Sequence, residues 1–332
     1  MVKMWVKALR VIPRITKEEW NQLDFISKWL ISTRAAVFIM TASAGVIGGL
    51  LAYRSGEFNW VVFLLAVFGL VMAHATNNLL NDYTDFTRGV DHNNYFRAQY
   101  GPHPLEHGLL SKKAYIRYIL GTGLIALTVG ILITLMTGYA TLWLVAAGLF
   151  FLLFYTWPLK YIGLGEISVV AVWGPLMVGG TYFVVTGGHW DHSVTLISLV
   201  YALGPTTVLL GKHTDKLFQD KVKKVRTLPV IIGEKASRYL TISLWVLQYA
   251  LILWLVISKF SSPALLIIFL SVPKFIKTAK IFLKPRPTEP PAGYDPSGWP
   301  LYLVAYAFIF TRSFGLWFLL GVIGDVVINK LF

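Results

Sequence analysis

Nine stretches of this chain are apolar and long enough to cross a lipid bilayer, and that pattern leaves few folds open. A spanning helix needs about 20 mostly apolar residues, because a rise of about 1.5 Å per residue has to cover roughly 30 Å of hydrocarbon. The stretches run over residues 33–53, 59–81, 114–137, 139–157, 164–186, 193–211, 239–258, 261–282 and 299–326. Pro273 and Lys274 interrupt the eighth. The expected class is an all-α, multi-pass membrane protein with nine transmembrane helices around a central cavity. Composition agrees: 14% of the 332 residues are charged and 56% are hydrophobic, whereas soluble chains average about 25% charged. A disordered chain, a secreted disulfide scaffold and a cytosolic enzyme are excluded on that basis. With no cysteine there is no disulfide, thiolate nucleophile or Cys-based metal site.

Residues 1–32 carry too many charges for a cleaved signal peptide, and Lys17 to Leu30 reads as an amphipathic helix lying on the membrane surface. They form an N-terminal cytoplasmic segment ahead of one intramembrane domain over 33–332, read as a pseudo-repeat of helices one to four and five to eight plus a ninth.

The formal net charge is +14. In a soluble chain that excess would point to nucleic acid; here it marks a membrane face, and the expected partner is the lipid bilayer, not nucleic acid. With the N-terminus inside, 26 of the 30 Lys and Arg fall on the cytoplasmic side, leaving Arg54, Lys259, Lys330 and the intramembrane Arg312 elsewhere. The positive-inside rule then gives a cytoplasmic N-terminus and a C-terminus on the opposite side.

The 16 acidic residues are scarcer and more telling. Asp82, Asp85, Asp91 and Glu106 follow the second helix; Asp215, Asp220 and Glu234 follow the sixth. Each cluster starts where an apolar helix reaches the same face of the membrane, so two loops deliver carboxylates to one place. If the second helix continues through the first cluster, Asn81 and Asp85 share a face at i and i+4, with Asp82 offset by one position. Carboxylate and amide oxygens without thiolates suit Mg²⁺, which is commonly held by one or two carboxylates plus substrate phosphates. The ligand set is then Asn81, Asp82, Asp85, Asp91, Asp215 and Asp220. Five aspartates contribute −5, a diphosphate about −3 and two Mg²⁺ +4, leaving roughly −4 for Lys212, Lys216, Lys221 and Arg226 to neutralise. Against this stands the plainer reading, in which both loops are ordinary solvated charge at a membrane interface. His74 is polar at membrane depth, where an interhelical hydrogen bond is its expected role. Arg312 must find a partner, whether in the protein or in a substrate.

These residues resemble the UbiA superfamily of intramembrane prenyltransferases from about Arg34 onward. The first motif, Asn81-Asp82-Tyr83-Thr84-Asp85 with Asp91 six residues on, is similar to the 1,4-dihydroxy-2-naphthoate branch. So are Tyr155-Thr156-Trp157-Pro158-Leu159-Lys160, Gly163-Leu164-Gly165-Glu166, Gly174-Pro175-Leu176-Met177 through Gly180-Thr181-Tyr182, and Arg226-Thr227-Leu228-Pro229-Val230 with Gly233. Three departures stand out. The family's second motif usually spaces its two Asp four apart, whereas Asp215 and Asp220 are five apart; Gly211-Lys212 stands where this branch often has paired Asn; and His103-Pro104-Leu105-Glu106-His107-Gly108 replaces an Arg-Pro-Leu-Pro-Ser-Gly-like segment.

The resemblance implies nine transmembrane helices, Mg²⁺, a polyprenyl diphosphate donor and an aromatic acceptor, 1,4-dihydroxy-2-naphthoate being favoured, prenylated with loss of its carboxylate in menaquinone-type biosynthesis. It implies catalytic roles for Asp82, Asp85, Asp215 and Asp220, and substrate contacts from Asn78, Asn81, Arg34, Lys212, Lys216, Lys221, Arg226, Tyr155 and Lys160. Tyr83, Tyr155 and Tyr161 are candidates to steady an allyl cation through their ring faces; Arg34, His103, Lys160 or Glu166 would orient the acceptor. Other acceptors (4-hydroxybenzoate, a lipid phosphate, haem), an intramembrane terpene cyclase, and a transporter remain alternatives, the last disfavoured because the Asp clusters lie at the membrane face and not at its midplane.

Overall fold

The structure, a computed structural model, describes residues 1–93 and 95–331, and among them every regular element is helical. Seven helices are long and apolar enough to cross a bilayer: Ala35–Ser55, Trp60–Thr87, Lys112–Thr137, Gly165–Val185, His192–Asp215, Glu234–Ile257 and Leu303–Lys330. The expected fourth span is shorter, Thr141–Phe154. The eighth is divided into a 3₁₀ segment, Pro263–Ser271, and an α-helix, Val272–Phe282, with Pro273 in its first turn. A 3₁₀ helix rises about 2 Å per residue and an α-helix about 1.5 Å, so the two segments together are still roughly 34 Å long.

Two of the helices that outrun their apolar stretches matter to the site. Trp60–Thr87 continues six residues beyond the expected boundary at 81, so the first Asp motif is helical, and His192–Asp215 ends on an aspartate. The Gly165–Val185 rod opens into a π-helical stretch over Val172–Gly179 around Pro175. A proline there has no N–H to give and crowds the preceding turn, and widening the helix accommodates both. The core is aromatic: Trp245 packs edge-on against Phe282 and Phe310, each fully buried.

The N-terminal segment departs from expectation. The single surface helix expected over Lys17 to Leu30 is two short helices, Lys17–Asn21 and Phe25–Ser32, preceded by Val2–Arg10. Asp24 breaks it by capping the second, accepting from the Ser27 N–H at 3.0 Å, and Thr16 and Glu19 form a reciprocal capping box on the first. Trp20, Leu30 and Ile31 are buried in one cluster with Phe38 and Ala75, so residues 1–32 pack onto the helical domain.

At the end of the bundle away from the motifs, Arg54 Nη1 donates to Asp325 Oδ2 at 2.7 Å, and the same carboxylate accepts from the Ser262 N–H. Removing one partner of a buried pair strands the other, at a cost of about 3–5 kcal/mol. Asp325→Ala should therefore lower the melting temperature in detergent while turnover below the transition is unchanged.

Candidate active site

The first motif occupies the last turns of the Trp60–Thr87 helix, and its two aspartates leave in different directions. Asp82 is fully buried between two arginines: Arg97 Nη2 donates to Oδ2 at 2.8 Å and Arg34 Nη2 lies 3.3 Å from Oδ1. Arg34 reaches that position from a left-handed backbone (φ 56°) and is held by the Asn78 carbonyl and side-chain oxygens, both at 3.1 Å. Asp85 accepts from Lys160 Nζ at 2.5 Å and from the Tyr161 hydroxyl at 3.0 Å. Burial and the Asp85 charge push the Tyr161 hydroxyl well above the usual phenol range, keeping it a donor. Beyond the helix, Gly89 (φ 72°) turns the chain so that the Val90 and Asp91 N–H groups both return to the Asp85 carbonyl. Asp91 is thereby folded under the helix end, where His103 Nε2 lies 2.8 Å from its Oδ2.

The second loop closes over the first. Lys216 and Asp220, one helical turn apart, pair at 2.8 Å with 5% and 0% of their side chains exposed. The Tyr95 hydroxyl donates to the same Asp220 oxygen, and Thr227 Oγ1 donates to the other at 3.2 Å. Gln219 accepts from the Phe96 N–H, and Lys223 reaches the Gly89 and His92 carbonyls. Burial opposes the charge on Lys216, but the Asp220 carboxylate outweighs it and lifts the ammonium above its ordinary range, while burial and Asp220 together raise Tyr95.

Several expected site residues, Asp215, Lys221, Arg226 and Tyr83 among them, are placed elsewhere. Asp215, the last residue of its helix, accepts the Leu303 and Val304 N–H groups at 2.9 Å each and the Arg286 guanidinium at 2.9 Å. It caps the Leu303–Leu331 helix, whose free N–H groups need an acceptor. Gly211 permits the approach, since a Cβ there would lie 3.0 Å from the Val304 Cα. Lys221 and Arg226 are exposed and line neither cavity described below. Each follows a buried neighbour, Asp220 and Val225, and the turn of the backbone points the next side chain outward. Tyr83 packs with Leu79, Leu105 and Tyr115, away from the site. Glu166 pairs with His213 at 2.7 Å, and His74 meets Thr41 Oγ1 at 2.6 Å, the expected interhelical bond.

Two spaces meet at this end of the bundle. One, of about 1120 Å³, runs between the helices and is lined largely by apolar side chains, with Arg34, His74, Asn77, Asn78 and Arg312 among the polar ones. The other, of about 20 Å³, is lined by Asn81, Asp85, Asp91, Lys160 and Lys216, among others. Asn81, Tyr155 and Lys212 line both. Lys212 has no hydrogen bond or ion pair with a carboxylate among the described residues, so its ammonium is uncommitted at the junction. Arg97 and Tyr95 were not legible as site residues: they belong to a one-turn helix, Phe96–Gln99, and its N-cap, too short to show periodicity, 15 residues from Asp82 and 125 from Asp220 respectively.

Mg²⁺ takes hard oxygens at a small, partly hydrated site. The first motif fits it. Asp91 Oδ1 is buried without a hydrogen-bond partner among the described residues, Asp85 Oδ1 accepts one hydroxyl only, and Asn81 donates its amide nitrogen to Thr156, leaving its oxygen available. The second motif does not fit, because Asp215 caps a helix and Asp220 is already held by Lys216, Tyr95 and Thr227. Among the described residues no three His, Cys, Asp or Glu side chains converge as a metal site.

A buried polar end is thus joined to a largely apolar cavity inside a bundle with seven helices long and apolar enough to cross a bilayer. The UbiA prenyltransferase family model matches residues 38–295, and the chain belongs to that family. Its members are prenyltransferases, and this chain is an integral membrane enzyme of that class. The 1,4-dihydroxy-2-naphthoate octaprenyltransferase of Bacillus subtilis (strain 168) is 27% identical over 245 residues, covering 72% of this chain and 76% of that protein. The UbiA prenyltransferase domain-containing protein 1 homolog of Drosophila melanogaster is 28% identical over 211 residues, 62% of this chain, but the match spans only 58% of that longer protein. A UbiA homologue from Archaeoglobus fulgidus, solved with GPP and Mg²⁺, shares the fold with a TM-score of 0.53 at 14% identity, covering 89% of this chain and 99% of that one. A digeranylgeranylglyceryl phosphate synthase structure aligns with a TM-score of 0.58 at 20% identity, covering 93% and 100%.

The geometry separates Asp85 from Asp215. Asp85→Asn should reduce turnover about 100-fold or more. Asp215→Asn should lower the melting temperature but leave turnover within a few-fold when assayed well below it. Lost turnover in folded Asp215→Asn would return that residue to the catalytic set.

Proposed function

We propose that this enzyme transfers a polyprenyl group from its diphosphate to an aromatic acceptor, with 1,4-dihydroxy-2-naphthoate the favoured acceptor and a menaquinone-type quinol precursor the product. The observation that carries this reading is the junction at Lys212, an uncommitted cation between a carboxylate-lined void and a long apolar cavity. A prenyl diphosphate has that polarity: a compact anion on a flexible hydrocarbon. At about 1120 Å³ the cavity exceeds the ~300–1,000 Å³ of ordinary small-molecule sites, giving room for a long chain beside a planar ring. The 27% identity to naphthoate octaprenyltransferase supports the acceptor.

The chain's own groups have distinct tasks. Lys212 donates to phosphate oxygens as they gain charge, and the Lys160–Asp85 and Arg97–Asp82 pairs hold the surrounding carboxylates in place. A Mg²⁺ on Asn81, Asp85 and Asp91, as the GPP-bound relative's Mg²⁺ encourages, would supply Lewis-acid charge to the leaving diphosphate. The allylic C–O bond breaks with its electron pair leaving on the diphosphate, the Tyr155 ring faces the resulting allyl cation, and a ring carbon of the acceptor captures it with loss of the carboxylate as CO₂. The apolar cavity wall keeps water from intercepting the cation. Of the residues expected to orient the acceptor carboxylate, His103, Lys160 and Glu166 are paired elsewhere, while Arg34, whose Nη2 serves Asp82 and Asn78 but whose Nε has no partner among the described residues, lines the cavity; Arg312 lines it too and holds that carboxylate in this reading. Arg312 lies nine residues into its helix, about 14 Å along it, over the Phe308 ring and with no carboxylate partner among the described residues. In this reading the chain crosses the bilayer nine times, with the N-terminus and both motif loops cytoplasmic, supported by the 26 of 30 basic residues on that side.

Mass spectrometry of products formed from a prenyl diphosphate, Mg²⁺ and an acceptor panel tests the proposal. The expected product is the naphthoate ring with a prenyl group in place of its carboxylate; product from 4-hydroxybenzoate or a glycerol phosphate alone would displace the acceptor, and ion transport without any product would displace the enzyme. Arg312→Leu should raise KM for the naphthoate about tenfold, the worth of one charge-assisted contact, with KM for the prenyl diphosphate unchanged.

A further inference from the structure

The number of divalent cations in the site follows from how its charges are already paired. Asp85 and Asp91 line the small void, and Asp82 and Asp220 pair with two further residues that line it, Arg97 and Lys216; all four carboxylates are buried, and each faces a basic partner: Arg97 and Arg34, Lys160, His103, and Lys216. The Lys and Arg partners together with the uncommitted Lys212 set five fixed cations against four carboxylates, one positive charge in excess. A diphosphate of about −3 would bring the total to about −2, the charge that one Mg²⁺ closes and two would overshoot.

The donor atoms divide the same way. On the first-motif side the buried Asp91 Oδ1 has no partner among the described residues, and Asn81 and Asp85 line the same void with oxygen capacity to spare. On the second-motif side the residue one turn before Asp220, where a paired carboxylate would complete an i, i+4 ligand set, is Lys216. Its ammonium sits 2.8 Å from Asp220 and 2.9 Å from the Tyr95 hydroxyl, occupying the place beside that carboxylate that a cation would take. Asp215 offers no substitute, because both its oxygens cap the Leu303–Leu331 helix.

We propose that the diphosphate site holds a single divalent cation, on Asn81, Asp85 and Asp91, and that the ammonium groups of Lys216 and Lys212 do on the other side what a second cation would do. The inference rests on the diphosphate reading above and specifies its metal stoichiometry. The phosphate nearer the second loop is then bound by fixed protein charge, so part of the diphosphate affinity is independent of metal.

Manganese stoichiometry, read by electron paramagnetic resonance with inorganic pyrophosphate as the probe, tests it on the full-length protein in detergent. Intact protein should take up one Mn²⁺ per chain, and Asp91→Asn should weaken that uptake about tenfold or more. Lys216→Asp, which puts a carboxylate one turn before Asp220, should take up a second Mn²⁺. Because that variant adds charge to a buried site, Lys216→Gln is run beside it and should weaken pyrophosphate binding in EDTA about tenfold. Two Mn²⁺ on intact protein, a single Mn²⁺ indifferent to Asp91→Asn, or metal-free binding indifferent to Lys216→Gln overturns the proposal. If pyrophosphate fails to bind intact protein in calorimetry with and without Mn²⁺, the underlying diphosphate reading falls instead.

Discussion

Four aspartates, Asp82, Asp85, Asp91 and Asp220, are buried between the two motif loops, and the site depends on the cations that make this tolerable. An unpaired carboxylate in such a place costs several kcal/mol, so each must be met by a donor brought from elsewhere in the chain. Asp82 draws in Arg34 from the end of the N-terminal segment and Arg97 from the following loop; Asp85 draws in Lys160 from 75 residues away; Asp220 binds Tyr95 across 125. The two loops are held to each other by hydrogen bonds, from Tyr95 to Asp220, from the Phe96 N–H to Gln219 and from Lys223 to the Gly89 and His92 carbonyls, and the small void is the space between the paired charges.

That arrangement gives the cavity two unlike ends. The helices supply a largely apolar cavity, lined in part by the π stretch around Pro175, and the loops supply fixed charge at its end. Lys212 belongs to both because it stands near the end of the His192–Asp215 helix, between Gly211 and Asp215, the two residues that lock that helix to the start of the Leu303–Leu331 helix. The capping by Asp215 therefore serves the site indirectly, by holding Lys212 at the junction.

Apolar length and charge asymmetry made the helical membrane class readable from sequence, and the i, i+4 relation of Asn81 and Asp85 made the first motif readable, because both signals are local. Three things were not. Asp215 and Asp220 are indistinguishable in sequence as acidic residues of one loop, and only the approach of the Leu303 end turns one into a helix cap. Arg97 looks like any loop arginine until Asp82 is buried beside it. Lys216 reads as a phosphate contact, but its pairing with Asp220 depends on Tyr95 closing over both. The surface helix expected over residues 17–30 failed for a local reason that was present in the sequence, since Asp24 and Ser27 make a better cap than a helix interior.

The central claim is that the diphosphate lies between the first-motif oxygens and Lys212, and its most direct measurement is a crystal structure with Mn²⁺ and a prenyl thiolodiphosphate, phased for anomalous scattering. The account predicts one anomalous peak, on Asn81, Asp85 and Asp91, with a phosphate oxygen within hydrogen-bonding distance of Lys212 and the prenyl chain along the apolar cavity. A peak bound by Asp215, or a diphosphate held at the surface by Lys221 and Arg226, would contradict it.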